Sequence, residues 1–356
     1  MKDVRELAAR LVSIPSHADE TAAGDAIEGW LREHADADVV RDAAGNVVAR
    51  KGSGDVSLAL VGHHDVVPPA AEQVENGEYV VEERDGRLYG RGSADMKGAV
   101  AAAMVAFRDA APDCELIFAS FVGEETGGVG ARAAIKGGFA PDYAVVAEGS
   151  TNYSAEGVTD VVVAHKGRRG STITAVGEAA HASEPEAGEN AVYRACDAVD
   201  VVRELTFPTV DVLGERVRGS VAVTEIDGGA AWNVIPETCT VTVDERTVPG
   251  ERAPLERVEE VAGVSWTVDQ DLPPMACDDE AFAETTLAAA RDAQEGDPKL
   301  VTKPHATDAG WLAGAGTTCV VCGASEPGEA HTKTESVGLD VLDRCYRIYK
   351  TIAERA

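Results

Sequence analysis

Five short stretches of this chain carry residue types that bind metal ions, and four of them follow apolar runs that predict strands. The stretches are 62–68, 90–98, 123–128, 147–149 and 329–332. Their candidate ligands are His63, Asp95, Glu125, Glu148 and His331. Two imidazoles and three carboxylates suit a pair of borderline divalent ions such as Zn²⁺. The sequence therefore predicts metal-assisted chemistry if the stretches meet in space.

Each candidate also has a simpler interpretation. A single histidine after a strand is more often a satisfied polar residue than a ligand. The pair Glu124 and Glu125, in so acidic a chain, would ordinarily be solvated surface. Asp95 stands just before a predicted helix and could simply cap it. Only the combination and order of the five stretches favour a metal site.

The elements that must position these residues alternate between strand and helix. Apolar runs predict buried strands over 56–62, 115–122 and 143–147, and helical spacing predicts a helix over 95–109. This alternation is typical of an α/β layer with a mostly parallel sheet flanked by helices. In such sheets, ligands gather at the carboxyl ends of the strands, which is where the candidate ligands stand.

The pattern changes near residue 160. Alternating, partly exposed strands and one helix predict an α+β unit with a four-stranded sheet and helices on one face. The helix–strand alternation returns near residue 280. We therefore expect one catalytic domain formed by 1–164 and 276–356, interrupted by an inserted lid or dimerisation domain over 165–275.

The charge balance restricts the possible partners. The chain has 356 residues with 62 Asp and Glu against 32 Lys and Arg, a net charge of −30. This argues against nucleic acid and anionic membranes as partners. No apolar stretch approaches a membrane span, and no secretory signal is visible, so we expect a cytoplasmic protein. The acid-rich, lysine-poor composition resembles that of proteins from salt-accumulating archaea and predicts stability in molar KCl.

Seven cysteines in a chain without an export signal predict reduced, mostly buried thiols. Cys319 and Cys322 match a C-x-x-C pattern, but they lie in an apolar run over 317–322. A core strand is therefore favoured here over a redox or zinc pair.

Taken together, the motifs resemble those of the M20 metallopeptidase family. The series is H-x-D-V-V-P at 63–68, G-R-G-x-x-D-M-K-G at 90–98, G-E-E-x-G-G-x-G at 123–130, the single Glu148 and the late His331. The family includes acetylornithine deacetylase, succinyl-diaminopimelate desuccinylase, carboxypeptidases and aminoacylases. The resemblance covers essentially the whole chain. It implies two zinc or cobalt ions per chain and a lid that commonly dimerises, hence a homodimer.

The resemblance also implies roles for individual residues. Asp95 would bridge both metals, with His63 and Glu148 completing one site and Glu125 and His331 the other. Asp65 would orient His63 through its second ring nitrogen. Glu124 would be the general base that takes a proton from water and passes it to the leaving amine.

Three residues of the inserted unit resemble substrate-facing positions of the family. His181 would donate to the developing oxyanion, Asn233 would contact substrate, and Arg246 would hold the substrate carboxylate through its bidentate fork. Desuccinylases tend to have Arg where this chain has Gly310, which weakens the case for a diacid substrate. His64, Lys303 and His305 lie near the motifs without an assigned role.

The sequence thus predicts a zinc-dependent amidohydrolase that removes an N-acyl group, succinyl or acetyl, from a small-molecule amino acid. The open alternatives are a metallo-dipeptidase or carboxypeptidase of the same family, and a non-catalytic metal-binding relative.

Overall fold

The computed structural model describes residues 2–355. The α-helices in this range are α1 (Lys2–Val12), α2 (Thr21–His34), α3 (Gly98–Asp109), α4 (Val129–Lys136), α5 (Ala191–Glu204), α6 (Glu280–Asp292), α7 (Asp308–Gly314) and α8 (Leu339–Ala353). Within the described range, no helix combines the length and apolar character needed to cross a membrane.

The strands of the first half are β1 (Asp38–Arg41), β2 (Val47–Lys51), β3 (Ser57–His63), β4 (Val74–Glu75), β5 (Glu78–Tyr79), β6 (Glu82–Arg84), β7 (Arg87–Tyr89), β8 (Glu115–Phe121), β9 (Tyr143–Val146) and β10 (Val161–His165). Those of the second half are β11 (Gly167–Val176), β12 (Thr209–Val212), β13 (Glu215–Arg218), β14 (Ser220–Gly228), β15 (Thr238–Thr247), β16 (Val264–Leu272), β17 (Met275–Ala276), β18 (Leu300–Lys303), β19 (Thr318–Val321) and β20 (Ser336–Gly338).

The main sheet has the strand order β1-β2-β8-β3-β9-β19-β10-β17, with β18 beside β10. The consecutive strands β8, β3, β9 and β19 are parallel, whereas β1, β2 and β17 join antiparallel at the edges and β19 and β10 also pair antiparallel. The predicted α/β class is confirmed, with a mixed sheet whose parallel centre carries the candidate ligands.

The strands of this centre are apolar on both faces because helices cover both faces. Along β3, Leu58 and Leu60 enter the core shared with α1, α3 and α8, while Ala59 and Val61 enter the core shared with α4 and α7. This two-sided burial explains why the sequence reads as an unbroken apolar run rather than an alternating one.

A second, four-stranded antiparallel sheet has the order β14-β15-β11-β16. Its strands alternate, and one face packs on α5 through a separate core that includes Ile173, Ala195 and Val241. We call β11 to β16 with α5 the small-sheet unit. Strand β14 forms one edge of this sheet and is exposed along most of its length.

Within residues 2–355 all seven cysteines are free thiols, and of these only Cys196, on α5, is exposed. Cys319 lies in β19, and Cys322 follows its end; both are buried. The prediction of a core strand at the C-x-x-C pattern is therefore confirmed.

Candidate metal centre

Three adjacent parallel strands deliver candidate ligands to one edge of the main sheet. His63 is the last residue of β3, Glu124 and Glu125 stand in the turn after β8, and Glu148 follows β9 by two residues. Because β8, β3 and β9 are neighbours and parallel, their carboxyl ends lie side by side. The sheet topology thus brings these residues together, as the strand-end positions predict.

Asp95 reaches the same place from an irregular turn over 93–97. Asp95 and Met96 have non-helical backbone angles, and helix α3 begins only at Gly98. The prediction of a helix over 95–109 was therefore wrong at its start. The helix has no side-chain cap hydrogen bond, so Asp95 does not serve as a cap and its carboxylate points to two histidines instead.

The Asp95 carboxylate lies between two imidazoles. Its Oδ1 is 3.1 Å from His63 Nε2, and its Oδ2 is 3.3 Å from His331 Nε2. Each imidazole faces one more carboxylate: Glu148 Oε1 is 3.1 Å from His63 Nε2, and Glu125 Oε1 is 2.8 Å from His331 Nε2. The arrangement has two halves that share one carboxylate.

The donor set fits a pair of divalent ions. A ring nitrogen carries at most one proton, yet Nε2 of His63 and Nε2 of His331 each face two carboxylate oxygens. One proton cannot satisfy both oxygens, whereas a cation between the three atoms can. Potential ligand atoms also converge within 4.8 Å in two groups, His63 with Glu124 and Glu148, and Asp95 with Glu125 and His331. The two groups contain all five proposed ligands together with Glu124.

Asp65 supports both halves of this cluster. Nδ1 of His63 is 3.3 Å from the Asp65 carboxylate and 3.1 Å from the Asp65 carbonyl oxygen. The same carboxylate accepts the backbone N–H groups of Glu124 (3.1 Å) and Glu125 (3.0 Å). A proton held on Nδ1 leaves Nε2 facing the ligand carboxylates. Asp65 therefore fixes the orientation of one imidazole and the shape of the turn that presents two glutamates.

The charges of the cluster perturb its titration strongly. Burial, followed by the nearby carboxylates of Asp308 and Glu148, raises the pKa of Glu124 well above its usual range, against the opposing effect of His63. Hydrogen bonds to Asp95 and Glu125 raise the pKa of His331 to about 10. A carboxyl group with a raised pKa and histidines surrounded by carboxylates are typical of functional sites.

Lys303 is a buried cation in this cluster. Its Nζ donates to Glu148 Oε2 (3.3 Å) and to the Gly149 carbonyl oxygen (3.0 Å). Burial opposes the charge, but the carboxylate of Glu148 raises the pKa of Lys303. Because Oε2 of Glu148 is held by Lys303, Oε1 is left to face His63. Lys303 also lines the cleft, about 330 Å³ in volume, that holds Asp95, Glu124 and His331.

His305 and His64 have different surroundings. His305 lines the cleft, and burial followed by the charges of Lys303 and Arg246 lowers its pKa. His64 is fully buried and hydrogen-bonds Ser120 Oγ through Nδ1 (2.9 Å). His64 therefore points away from the ligand cluster, as the alternation along a strand requires.

The substrate-facing candidates of the small-sheet unit do not line this cleft. His181 and Asn233 lie together at one end of the unit, where the Ala182 N–H donates to the Asn233 carbonyl oxygen (3.0 Å). Both residues are exposed. Arg246, on β15, donates through Nε to Asp244 Oδ1 (2.7 Å). The described chain thus brings His181 and Asn233 together but separates them from the candidate ligands.

Gly310 has no room for a side chain. A Cβ atom there would lie 2.1 Å from the Pro273 carbonyl oxygen and 3.2 Å from Cε1 of His165. An arginine at this position would require the backbone to move. The departure from the desuccinylase pattern is therefore built into the packing of α7.

Comparison with known proteins gives a family match. The model of the peptidase family M20/M25/M40 matches residues 59–355. An acetylornithine deacetylase of Myxococcus xanthus is 30% identical, over 84% of this chain and 81% of its own. A succinyl-diaminopimelate desuccinylase of Acidiphilium cryptum is 30% identical, over 87% and 86%. A protein of Pyrobaculum aerophilum assigned as a LysW-lysine/LysW-ornithine hydrolase is 29% identical, over 99% and 97%.

Solved structures share the fold. An aminopeptidase of Bacillus cereus superposes with a TM-score of 0.79 at 19% identity, covering 99% of this chain and 97% of its own. A dinuclear metal-binding peptidase of Bacillus subtilis superposes with a TM-score of 0.70 at 14% identity, covering 99% and 97%. At these identities the likeness concerns the fold alone.

Proposed function

We propose that this chain, which belongs to peptidase family M20, removes an N-acyl group from a free amino acid. Membership makes the chain a metal-dependent hydrolase of amide bonds. The proposal adds the acyl amino acid as substrate class and His63, Asp95, Glu125, Glu148 and His331 as ligands of two Zn²⁺ or Co²⁺ ions. The predicted location stays the cytoplasm.

One observation carries the metal assignment. The two oxygens of Asp95 face Nε2 of His63 (3.1 Å) and Nε2 of His331 (3.3 Å), so a single carboxylate belongs to both halves of the cluster. A shared carboxylate offsets part of the repulsion between two closely spaced cations.

Glu124 is the proposed proton carrier. Two divalent ions, when bound, would polarise the amide carbonyl and make water acidic enough to attack at neutral pH. The Glu124 carboxylate lines the cleft and has a potential ligand atom within 4.8 Å of those of His63 and Glu148. It can therefore take a proton from the attacking water and return it to the leaving nitrogen. Asp65 holds the Glu124 backbone during this exchange.

His181 suits the role of oxyanion donor by its hydrogen bonds. Nδ1 of His181 contacts the hydroxyl oxygen of Ser183 (2.6 Å) and accepts the Ser183 N–H (3.2 Å), so Nε2 is the ring nitrogen left to donate. Its N–H can donate to a developing oxyanion. Because His181 lies outside the cleft, we propose that closure of the small-sheet unit, or a second copy of the chain, brings it to the substrate. Arg246 and Asn233 are proposed to hold the substrate in the same closed arrangement.

Among acyl groups, acetyl agrees better with the packing than succinyl. Succinyl has a distal carboxylate, and the packing at Gly310 excludes a cation there. Lys303 lines the cleft but is already engaged by Glu148. N-acetyl amino acids are therefore the first substrates to test, and N-succinyl amino acids the second.

Two other substrate classes stay open. The relative assigned as a LysW-lysine/LysW-ornithine hydrolase matches almost the whole length of both chains, which favours that substrate as a second candidate. Dipeptides and carboxypeptidase substrates are the third class, in keeping with the peptidase fold neighbours. All three reactions use the same proposed metal ligands and base.

We further propose that the active form is a homodimer. Strand β14 is an edge of its sheet and is exposed along most of its length, with Val223 and Ile226 at the surface. Exposed edge strands with apolar residues readily pair with another chain. Pairing of two β14 edges would cover this surface and join two small-sheet units.

The test is a hydrolysis assay in molar KCl with added Zn²⁺ or Co²⁺. The panel contains N-acetylornithine and other N-acetyl amino acids, N-succinyl-diaminopimelate, LysW-lysine and several dipeptides. We expect turnover of the N-acetyl class, abolished by a chelator and restored by metal. Glu124→Gln should lower kcat by roughly 10²–10⁴-fold, the range for a general acid–base residue, while metal binding persists.

The assay results distinguish the substrate classes from one another and from a non-catalytic metal-binding protein. Turnover of a different class alone would move the proposal to that substrate. Two bound ions without turnover of any class would indicate a metal-binding relative instead of an enzyme. Full activity of Glu124→Gln would remove Glu124 from the mechanism.

A further inference from the structure

A buried carboxylate outside the proposed ligand set contacts the backbone at Asp95. Glu335 is 1% exposed and stands four residues after His331. Its Oε1 accepts the backbone N–H groups of Ala94 (3.0 Å) and Asp95 (3.1 Å). Its Oε2 accepts from the guanidinium of Arg91, which is 3% exposed. One side chain thus holds the turn that presents the shared carboxylate.

The same residue joins that turn to the segment bearing His331. The backbone carbonyl of Glu335 accepts the Gly90 N–H (3.1 Å), and the next residue, Ser336, pairs with Tyr89 in a short antiparallel ladder. Arg91 also donates to the Pro68 carbonyl oxygen (3.4 Å), in the loop that follows β3. The pair of Arg91 and Glu335 therefore connects all three segments that meet at the shared carboxylate.

We propose that Glu335 is a positioning residue that sets Asp95 and His331 relative to each other. Hydrogen bonds from backbone amides to a buried carboxylate are strong and directional, and small displacements of a metal ligand are costly. An ion held by Asp95, Glu125 and His331 would depend on both positioned ligands, so its binding should be the more sensitive of the two. This inference rests on the proposed function, because it assumes that the cluster binds two ions.

The chain supplies a matched control in Glu329. This residue lies in the same segment, and its carboxylate also accepts from a guanidinium, that of Arg87 (3.3 Å), and from a backbone N–H, that of Ser336 (3.0 Å). None of the hydrogen bonds of Glu329 reaches the turn at Ala94 and Asp95. Glu329 therefore anchors the segment without touching a proposed ligand.

The test compares two double variants of the full chain, Arg91→Met/Glu335→Gln and Arg91→Met/Glu335→Leu. Neither leaves an unpaired buried charge, and they differ in whether an oxygen can accept the two amides. Metal-stripped protein is titrated with Co²⁺ in molar KCl, and the visible absorption spectrum and calorimetry report the number and affinity of bound ions. Amide hydrogen exchange over 93–97 is measured on the metal-free protein.

We expect wild type, Arg91→Met/Glu335→Gln and Glu329→Gln to bind two Co²⁺ ions with similar affinity. The leucine variant should bind the second ion about 10–100-fold more weakly, the range for residues that orient a ligand. Its amides at 94 and 95 should also exchange faster. If the leucine variant does not fold, the single variant Glu335→Gln serves as the test. Arg91 would then lack its anion and should draw the Gln oxygen away from the two amides. The affinity for the second Co²⁺ ion should fall by about tenfold.

Two failures are distinguishable. A wild type that binds two ions, beside a folded leucine variant that binds both as tightly, would overturn the role of Glu335 and leave the proposed function standing. If the leucine variant does not fold, an unchanged Co²⁺ affinity in Glu335→Gln would likewise overturn the role of Glu335. A wild type that binds no Co²⁺ would overturn the proposed metal site itself, and with it this inference.

Discussion

The cluster around Asp95 and the end of the small-sheet unit around His181 are held in different ways. In the cluster, His63 and Asp65 are buried, and each has more than one polar partner. At the other place, His181 is exposed and its ring is held by Ser183, two residues away. Trp232, beside Asn233, is fully exposed.

This difference separates two tasks. The proposed ligands are positioned by contacts within one chain, so their arrangement exists before substrate arrives, as preorganised catalysis requires. The proposed oxyanion donor lies outside the cleft, so its contribution depends on a movement or on a second copy. We therefore expect substitutions of the proposed ligands and of Asp65 to change metal binding, and those in the second region to change kcat alone.

After Glu124→Gln, the largest expected effect on kcat tests the exposed region. His181→Ala should lower kcat by roughly 10²–10³-fold, the range for loss of one oxyanion donor, because the N–H at Nε2 disappears. Metal stoichiometry should stay at two ions, and the melting temperature should hardly change, since an exposed side chain contributes little to stability. Steady-state kinetics beside a Co²⁺ titration measures both, with His34→Ala as a surface histidine control. Wild-type kcat in His181→Ala would confine the chemistry to the cluster.

Mixing two inactive variants shows where His181 acts. If it reaches the site of a second copy, His181→Ala mixed with Glu124→Gln forms mixed dimers in which one site has both native residues. Activity should then reappear on mixing and subunit exchange. Mixtures that stay inactive, although subunits exchange, would place His181 over the site of its own chain.

The second expected effect is on metal binding by the buried cluster around Asp95. Asp65→Asn should weaken metal binding by about 10–100-fold, as for other residues that orient a ligand, because an amide cannot accept from both Glu124 and Glu125 while also accepting from His63. Co²⁺ titration measures the change. Asp160→Asn is the matched control, since the buried Asp160 likewise accepts two backbone N–H groups, those of Ser154 and Lys299, neither of which belongs to a proposed ligand. Equal losses in both variants would attribute the effect to stability instead of orientation.

The smallest expected effect is on the pH dependence of stability. It comes from His165, where the main sheet passes into the small-sheet unit. Burial lowers the pKa of His165 to about 4, below its ordinary value near 6.5. The unfolded chain therefore binds more protons between these values, and stability decreases as pH falls through 6.5. From pH 7 to pH 5 the loss is about 2 kcal/mol. Denaturant unfolding of wild type and His165→Gln in molar KCl should show a shallower pH slope for the variant, and parallel slopes would contradict this.

Elements with a strong local pattern could be predicted from the sequence. The strands expected over 56–62 and 115–122 are found as Ser57–His63 and Glu115–Phe121, because unbroken apolar runs flanked by glycine and polar residues fit buried strands. The helix expected over 95–109 starts three residues late, at Gly98. Its apolar pattern continues smoothly into the turn that carries Asp95, so periodicity gave no sign of the break.

Contacts between distant segments could not be predicted in this way. Lys303 and Glu335 were not assigned a role, although Lys303 contacts Glu148 across 155 positions and Glu335 contacts Asp95 across 240. A lysine after a threonine at the end of a short strand, or a glutamate before a serine, has no local signature of burial. The antiparallel edge strands β1 and β2 were likewise not predicted, because their short runs contain charged residues.

The distribution of the thiols allows the protein to be labelled at one native cysteine. Cys196 is the one exposed thiol of the seven, and it lies in a groove beside Val223 and Ile226 of β14. A maleimide dye would therefore attach at a single known place without engineering. If two chains cover this groove, dilution to monomers should raise the reactivity of Cys196. The absorbance of the bound dye would then report the state of assembly, because the other six thiols are buried and do not react.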